Sequence, residues 1–326
     1  MIPFMKEIAI TDIKQIKIGN AENKQAATGL TVLLCDGGAV CGVDIRGGGP
    51  ASRETPLLNP LAAAERIHAV LLSGGSAFGL DAAGGVMQYL EERGIGFDTG
   101  IAKVPLVCQS CIFDLGIGDK SVRPAKEMAY AACERAQSNG FQPGNYGAGT
   151  GATVGKLLGG DYMMKAGIGT YAVELENGLQ VGAVVCVNAL GDIYDEHGKQ
   201  IAGLLDEAKT GLRSTKELMY ASCGAPATAP LHANTTIGAV VTNAGFSKSE
   251  MNKIAAMAHN GYARAISPVN TTADGDSVYA LSVGTLTVDI NIVGTLAADV
   301  VQRAIYSAVW DAESAYGLKC ARDLQK

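Results

Sequence analysis

Short runs rich in β-branched residues alternate with longer helical patterns along the whole chain, and glycine separates most neighbouring pairs. With strand patterns falling in two clusters and helices between and after them, the alternation predicts a layered α/β or α+β fold. No repeat of roughly 20–50 residues is present. Leu30–Cys35 and Ala39–Ile45 flank Asp36-Gly-Gly38, which predicts a hairpin. Ala69–Ser73 reads as a strand running into Gly74-Gly-Ser-Ala-Phe-Gly79 and a helix that stops at Gly94, and Arg123–Ser138 reads as a second helix. Strand patterns follow near 161–174 and 180–189, and a helical pattern spans 203–221. Gly224-Ala-Pro-Ala-Thr-Ala-Pro-Leu231 has the small-residue, proline-rich make-up of an exposed connector. Beyond it, Thr236–Thr242 reads as a buried strand, and Ser247-Lys-Ser-Glu250 as a capping box. The helix so opened carries apolar residues at Met251, Ile254, Ala255, Ala258 and Tyr262. Strand 278–291 and helix 295–316 end the pattern. The piece 235–326 is too small to close such an architecture alone, so it is expected to share a core with the preceding piece.

Composition narrows the function classes. Apolar residues make up 48% and charged residues 18%, enough for a large core. The net charge is −6 and the lysines and arginines are scattered, which argues against a nucleic-acid partner. The N-terminus lacks a basic stretch followed by a long apolar one, and no apolar run approaches roughly 18 residues. A soluble cytoplasmic protein without a membrane partner is therefore expected. The 42 glycines show no collagen-like period, and are expected at tight turns and close backbone approaches.

Eight cysteines include Cys108-Gln-Ser-Cys111, whose spacing suits a redox pair or half a zinc site. No second pair exists and His68, His197, His232 and His259 are isolated from one another, so buried structural thiols are expected. Three glycine-rich loops invite nucleotide readings, but each departs from the motif. Gly151-Ala-Thr-Val-Gly155-Lys156-Leu157 has too short a glycine spacing for a phosphate loop and lacks the hydroxyl residue after lysine. Gly147–Ala152 follows Pro143-Gly-Asn-Tyr instead of a strand. Gly74–Gly79 opens a helix, where an anion can sit, though tight packing explains all three.

The informative segment is His232-Ala-Asn234-Thr235-Thr236-Ile-Gly-Ala-Val-Val. A threonine hydroxyl is a poor nucleophile until a base takes its proton, and a free α-amine on the same residue can do so. That amine titrates near pH 8, so much of it is neutral in the cell. To obtain it inside a chain the preceding bond must break. The hydroxyl can attack the preceding carbonyl, shift the acyl group from nitrogen to oxygen and leave an ester for water to cleave. A threonine between a flexible connector and a buried strand suits this chemistry. Taken alone, the residues favour an ordinary strand start.

Asn234-Thr-Thr-Ile-Gly-Ala-Val-Val-Thr-Asn243-Ala, followed by Asp274-Gly-Asp276-Ser-Val, resembles the DmpA-type family of L-aminopeptidase/D-esterases, β-peptidyl aminopeptidases and nylon-oligomer endo-hydrolases. Gly74–Leu80, Gly147–Lys156 and Gly182–Asn188 also resemble that family's signatures, in its order, so the resemblance spans about residues 25–317. It implies an αββα sandwich and cleavage into an α chain, 1–234, and a β chain, 235–326. It also implies that Thr235 is the nucleophile, that the Asn188 amide serves the oxyanion or positions the nucleophile, and that Lys156 holds down the amine's pKa. The Asp274/Asp276 pair would orient the nucleophile or relay its proton. A threonine after asparagine looks more like the nylon-oligomer branch. Where relatives often carry tyrosine, this chain has Ile112-Phe113-Asp114-Leu115, so a hydroxyl there is missing.

The implied activity is hydrolysis of small peptides or amide oligomers, without metal or organic cofactor, by a homo-oligomer, a tetramer or larger. Two other readings stand beside it: an acyltransferase similar to the ornithine acetyltransferases, and an unprocessed, non-catalytic binding member.

Overall fold

A computed structural model describes residues 5–138, 140–223 and 234–324. The connector 224–231, His232 and the first four residues lie outside the described residues. Ten strands form one hydrogen-bonded path: β1 Met5–Ile8, β2 Lys17–Asn23, β3 Thr28–Ile45, β4 Ala51–Arg53, β5 Ile67–Ser73, β6 Val107–Cys111, β7 Ile168–Leu175, β8 Gln180–Asn188, β9 Thr235–Ala244 and β10 Ser277–Leu286. The order is β1-β7-β8-β9-β10-β3-β5-β6-β4, with β2 also on β3. The path folds into two layers at β3, whose first half pairs with β2 and β5 and whose second half pairs with β10.

The predicted hairpin is therefore wrong. Residues 36–38 do not reverse the chain; they carry one strand from layer to layer across a register break between Leu34 and Ala39. Gly38, at φ 74°, supplies the left-handed turn of the bulge. Turn chemistry alone cannot distinguish a bulge from a reversal.

Helices α1 Ala83–Glu91 and α2 Lys126–Ala136 cover one sheet, while α4 Lys248–Ala265 and α5 Ile290–Trp310 cover the other. This is the αββα sandwich. Each interlayer space has its own core, as strand parity dictates. Val184, Cys186, Ile237, Ala239 and Val241 face the second sheet and meet Leu33, Val70 and Leu72. Val185, Val187 and Val240 face the opposite way, onto Met251, Ile254 and Tyr262 of α4 and Val301 and Ala304 of α5. On the far side, Val32, Leu34 and Leu71 meet Val86 and Leu90 of α1 and Ala129 and Ala132 of α2.

Many glycines serve close approach. A Cβ on Gly42 would stand 2.2 Å from the Asn252 nitrogen of α4, and one on Gly169 would stand 2.1 Å from the Ala304 oxygen of α5. The capping box is present: Ser247 and Glu250 exchange backbone and side-chain bonds at the head of α4. The helix expected over 203–221 is restricted to α3, Thr215–Ala221, which Ser214 caps. Upstream, Leu205 bridges Leu212, and the Leu204 amide is spent on Asp192 at 2.8 Å instead of a helical carbonyl. By length and composition α5 could cross a membrane, but 61% of its most apolar window is buried between the sheet and α4, as in a core helix.

Strands β9 and β10 lie side by side in the middle of their sheet, flanked by β8 and β3 of the earlier piece. The piece after residue 234 thus completes a core that neither piece holds alone.

Candidate active site

Thr235 is the first residue of β9 and pairs across the ladder with Asn188, the last residue of β8. Parity sends both side chains into the space between the sheets, at the end of the apolar core. Both are buried, at 4% and 0% exposure, so a reaction there would proceed largely shielded from water. The Thr235 hydroxyl lies against the carbonyl oxygen of Asn234. That oxygen also accepts the Gly275 amide at 3.0 Å. The carbonyl between residues 234 and 235 is therefore polarised by an N–H of the Asp274-Gly-Asp276 loop.

Asn188 is held on every side. Its Oδ1 accepts the Lys156 ammonium at 2.6 Å and the Thr153 amide at 3.1 Å, and its Nδ2 donates to the Phe113 carbonyl at 3.0 Å. Lys156 also donates to the Asn188 main-chain oxygen at 3.0 Å. Lys156 is partly buried, and burial lowers its pKa to about 7 against the pull of Asp274 and Asp114.

The two carboxylates are held by backbone amides. Asp276 accepts the Thr236 amide at 2.6 Å and the Asn270 amide at 3.0 Å; Asp274 accepts the Thr271 amide and hydroxyl at 2.8 and 2.6 Å. Burial, and then the neighbouring Asp274 charge, raise Asp276 to about 7. A carboxyl and an ammonium that both titrate near neutrality fit proton transfer at cellular pH.

The structure thus brings together all the residues singled out above: Asn234, Thr235, Asn188, Lys156, Asp274 and Asp276. It adds several that the sequence did not single out. Gly47-Gly-Gly49 straps the acidic loop: the Gly49 amide donates to the Asp274 carbonyl at 2.8 Å, and a Cβ on Gly47 would meet the Asp276 nitrogen at 2.4 Å. A run of three glycines after a strand was the available signal. Asp114, 3% exposed, accepts the Thr28 hydroxyl at 2.6 Å and the Gly75 amide at 2.7 Å; burial raises its pKa, partly offset by those bonds. Phe113 contributes its main-chain carbonyl, which any residue type would supply.

The glycine-rich loops bind the protein itself. The Gly75 amide is occupied by Asp114, and the Gly147 amide by the Glu22 carboxylate at 3.0 Å. In both loops a carboxylate of the chain takes the place where an anion would sit. Cys108 and Cys111 fall on opposite faces of β6, so their thiols diverge, and burial pushes the Cys108 thiol up to about 12. They are structural.

The model of peptidase family S58 matches residues 9–322. The chain is 39% identical to an uncharacterized aminopeptidase of Mycobacterium leprae (strain TN), covering 95% of this chain and 92% of that protein. It is 32% identical to a 6-aminohexanoate-oligomer endohydrolase of Agromyces sp. (strain KY5R), covering 93% and 86%. In fold it is similar to the L-aminopeptidase D-Ala-esterase/amidase of Ochrobactrum anthropi, described as a variant of the Ntn hydrolase fold (TM-score 0.71, 17% identity, 97% and 92% covered). It is also similar in fold to a Burkholderia sp. beta-aminopeptidase (TM-score 0.66, 19% identity, 97% and 92% covered). The family match over nearly the whole length agrees with the architecture: the chain belongs to peptidase family S58 and is a hydrolase of peptide or amide bonds.

Proposed function

We propose that the chain cuts itself between Asn234 and Thr235, and that the freed Thr235 is the nucleophile of an amidase acting on small peptides or amide oligomers. The observation that carries this reading is the Thr235 hydroxyl lying against a carbonyl oxygen that already accepts the Gly275 amide. The hydroxyl oxygen attacks the Asn234 carbonyl carbon, and the Gly275 N–H stabilises the resulting oxyanion. The Asp274/Asp276 pair takes the hydroxyl proton and returns it to the Thr235 nitrogen as the C–N bond breaks. Water then cleaves the ester, leaving a carboxylate on Asn234 and an α-amine on Thr235.

In the mature site that amine is the base for its own hydroxyl, and the nearby Lys156 ammonium favours its neutral form. Substrate acyl groups pass to the Thr235 oxygen and on to water. One Asn188 N–H is tied to Phe113, and the second is available to the substrate oxyanion. The two pieces stay packed, because β9 and β10 keep their ladders to β8 and β3.

The name of the Agromyces relative makes linear 6-aminohexanoate oligomers the first substrate to try, with amino-acid amides as the exo-acting comparison. Thr235→Ala is expected to give one uncut chain by intact mass and no turnover of either substrate. Wild-type protein is expected as two pieces of 234 and about 92 residues. Full activity in Thr235→Ala, or an active wild-type chain that remains uncut, would refute the proposal.

A further inference from the structure

Lys165 is a completely buried lysine outside the residues assigned roles above. Its ammonium donates to three main-chain carbonyls: Gly149 at 2.9 Å, Ala152 at 3.1 Å and Ala166. Enclosing an ammonium costs several kcal/mol before those bonds are counted, and an apolar side chain would fill the space more cheaply. Satisfying carbonyls does not explain it. The Gly149 oxygen already accepts the Ala152 amide at 3.3 Å, and the Ala152 oxygen accepts the Ala166 amide at 3.0 Å. The ladder and the Ala166 amide already hold the strand that carries Lys165 to the end of the turn at Ala152; what the ammonium adds is a tie from that strand to the head of the turn at Gly149, at 2.9 Å.

That tie ends at the active site. Lys165 pairs in register with Thr153, the residue that follows the turn. Thr153 directs its amide, at 3.1 Å, and its hydroxyl, at 3.4 Å, to Asn188 Oδ1. Those donors, with Lys156, fix which end of the Asn188 amide is oxygen. Rotating the group by half a turn would set its NH2 against an ammonium and an N–H. With Oδ1 fixed, Nδ2 is the end left for Phe113 and for a substrate oxyanion.

We propose that Lys165 is a positioning residue for Asn188, acting through the 149–153 turn. The role rests on the functional reading above, in which Asn188 serves the reaction at Thr235. The test is a double-mutant cycle on the full chain with Lys165→Met, Asn188→Ala and the combined variant. It is read as kcat and KM on a linear 6-aminohexanoate oligomer, as the half-time of self-cleavage, and as Tm. Lys165→Met is expected to lower kcat roughly 10-fold with KM within about 2-fold, as misplacement of a catalytic group does. Added to Asn188→Ala, it is expected to change kcat by less than about 2-fold, because the group it positions is already gone.

Losses that multiply, or a folded Lys165→Met with full kcat, overturn the proposal while leaving the hydrolase reading intact. A wild-type chain that neither cuts itself nor turns over the oligomer refutes that reading, and this inference with it. Should Lys165→Met fail to fold, Lys165→Arg carries the same cycle. If that variant also fails, Lys165 is a folding element and the positioning role is refuted.

Discussion

Gly275 stands between the two carboxylates, with its missing side chain aimed at Thr235. A Cβ there would lie 2.8 Å from Thr235 Oγ1, 2.9 Å from the Gly49 carbonyl oxygen and 3.3 Å from Pro50 Cα. Ordinary contacts to carbon begin at roughly 3.5 Å, so something must yield by more than half an ångström. Two of the three neighbours are backbone, tied by the Gly49 amide to the Asp274 carbonyl at 2.8 Å, and yield only at a cost. The Thr235 hydroxyl is the softest neighbour, so Gly275→Ala should displace it. No left-handed φ is involved, so alanine pays nothing in backbone conformation there. Overpacking of this kind costs about 1–3 kcal/mol of stability. A displacement of about 1 Å can cost 10²-fold in rate, and half of that about 10-fold. The assay follows intact mass against time after a pulse of synthesis, with Tm measured in parallel. Gly116→Ala is the control, because a Cβ there meets nothing within 4 Å. Self-cleavage of Gly275→Ala within about 2-fold of the control, with Tm unchanged, would refute the placement of the hydroxyl beside this loop.

Self-cleavage should fall on the acid side as Asp276 takes a proton near about 7, and turnover should fall on the alkaline side as Lys156 loses one near about 7. Lys156→Met should abolish the alkaline limb, and a limb unchanged in that variant would assign it elsewhere. Asp192 provides a stability measurement remote from the chemistry: burial raises its carboxyl to about 6 although Thr215 and Leu204 donate to it. A carboxyl whose folded pKa is raised contributes most below its unfolded pKa, and that contribution is lost as pH rises toward the folded value. Wild type should therefore lose roughly 2 kcal/mol relative to Asp192→Asn between about pH 4 and 6, measured by urea unfolding. A constant difference would contradict this. Of the eight thiols, seven are buried and Cys223 is exposed, so the native protein should take up a single maleimide by mass, and more only on unfolding.

The fold was legible where a local signal has one structural meaning. The short β-branched run Thr236–Thr242, read as a strand buried on both faces, and the Ser247/Glu250 box are both present. Legibility failed where one local signal serves two geometries. Asp36-Gly-Gly38 permits a left-handed residue, which a reversal needs and a bulge needs equally; only the partners of β3, one in each sheet, decide between them. The helical pattern over 203–221 failed for a related reason. Its apolar spacing fits a helix, but Asp192, some twenty residues away in sequence at Thr215, takes the Leu204 and Thr215 amides and sets both the loop and the start of α3.

The site divides along the same line. Thr235, Asn188, Lys156 and the Asp274/Asp276 pair were singled out because motif resemblance records side chains. The groups that hold them are largely main chain: the Gly275 amide on the Asn234 carbonyl, the Phe113 carbonyl on Asn188, and the amides of Thr236 and Asn270 on Asp276. Sequence does not mark such groups, because nearly every residue supplies them. It marks only the places where a side chain would block them, and there the residue is glycine. Gly47, Gly49 and Gly275 lie within one strap around Thr235, where a Cβ on Gly47 or Gly275 would strike the acidic loop or Thr235 itself. This makes the Phe113 departure less consequential than a side-chain comparison suggests. The contact that orients Asn188 from that position is a carbonyl, unchanged between phenylalanine and tyrosine, so the loss is confined to whatever a phenolic hydroxyl would do to the substrate.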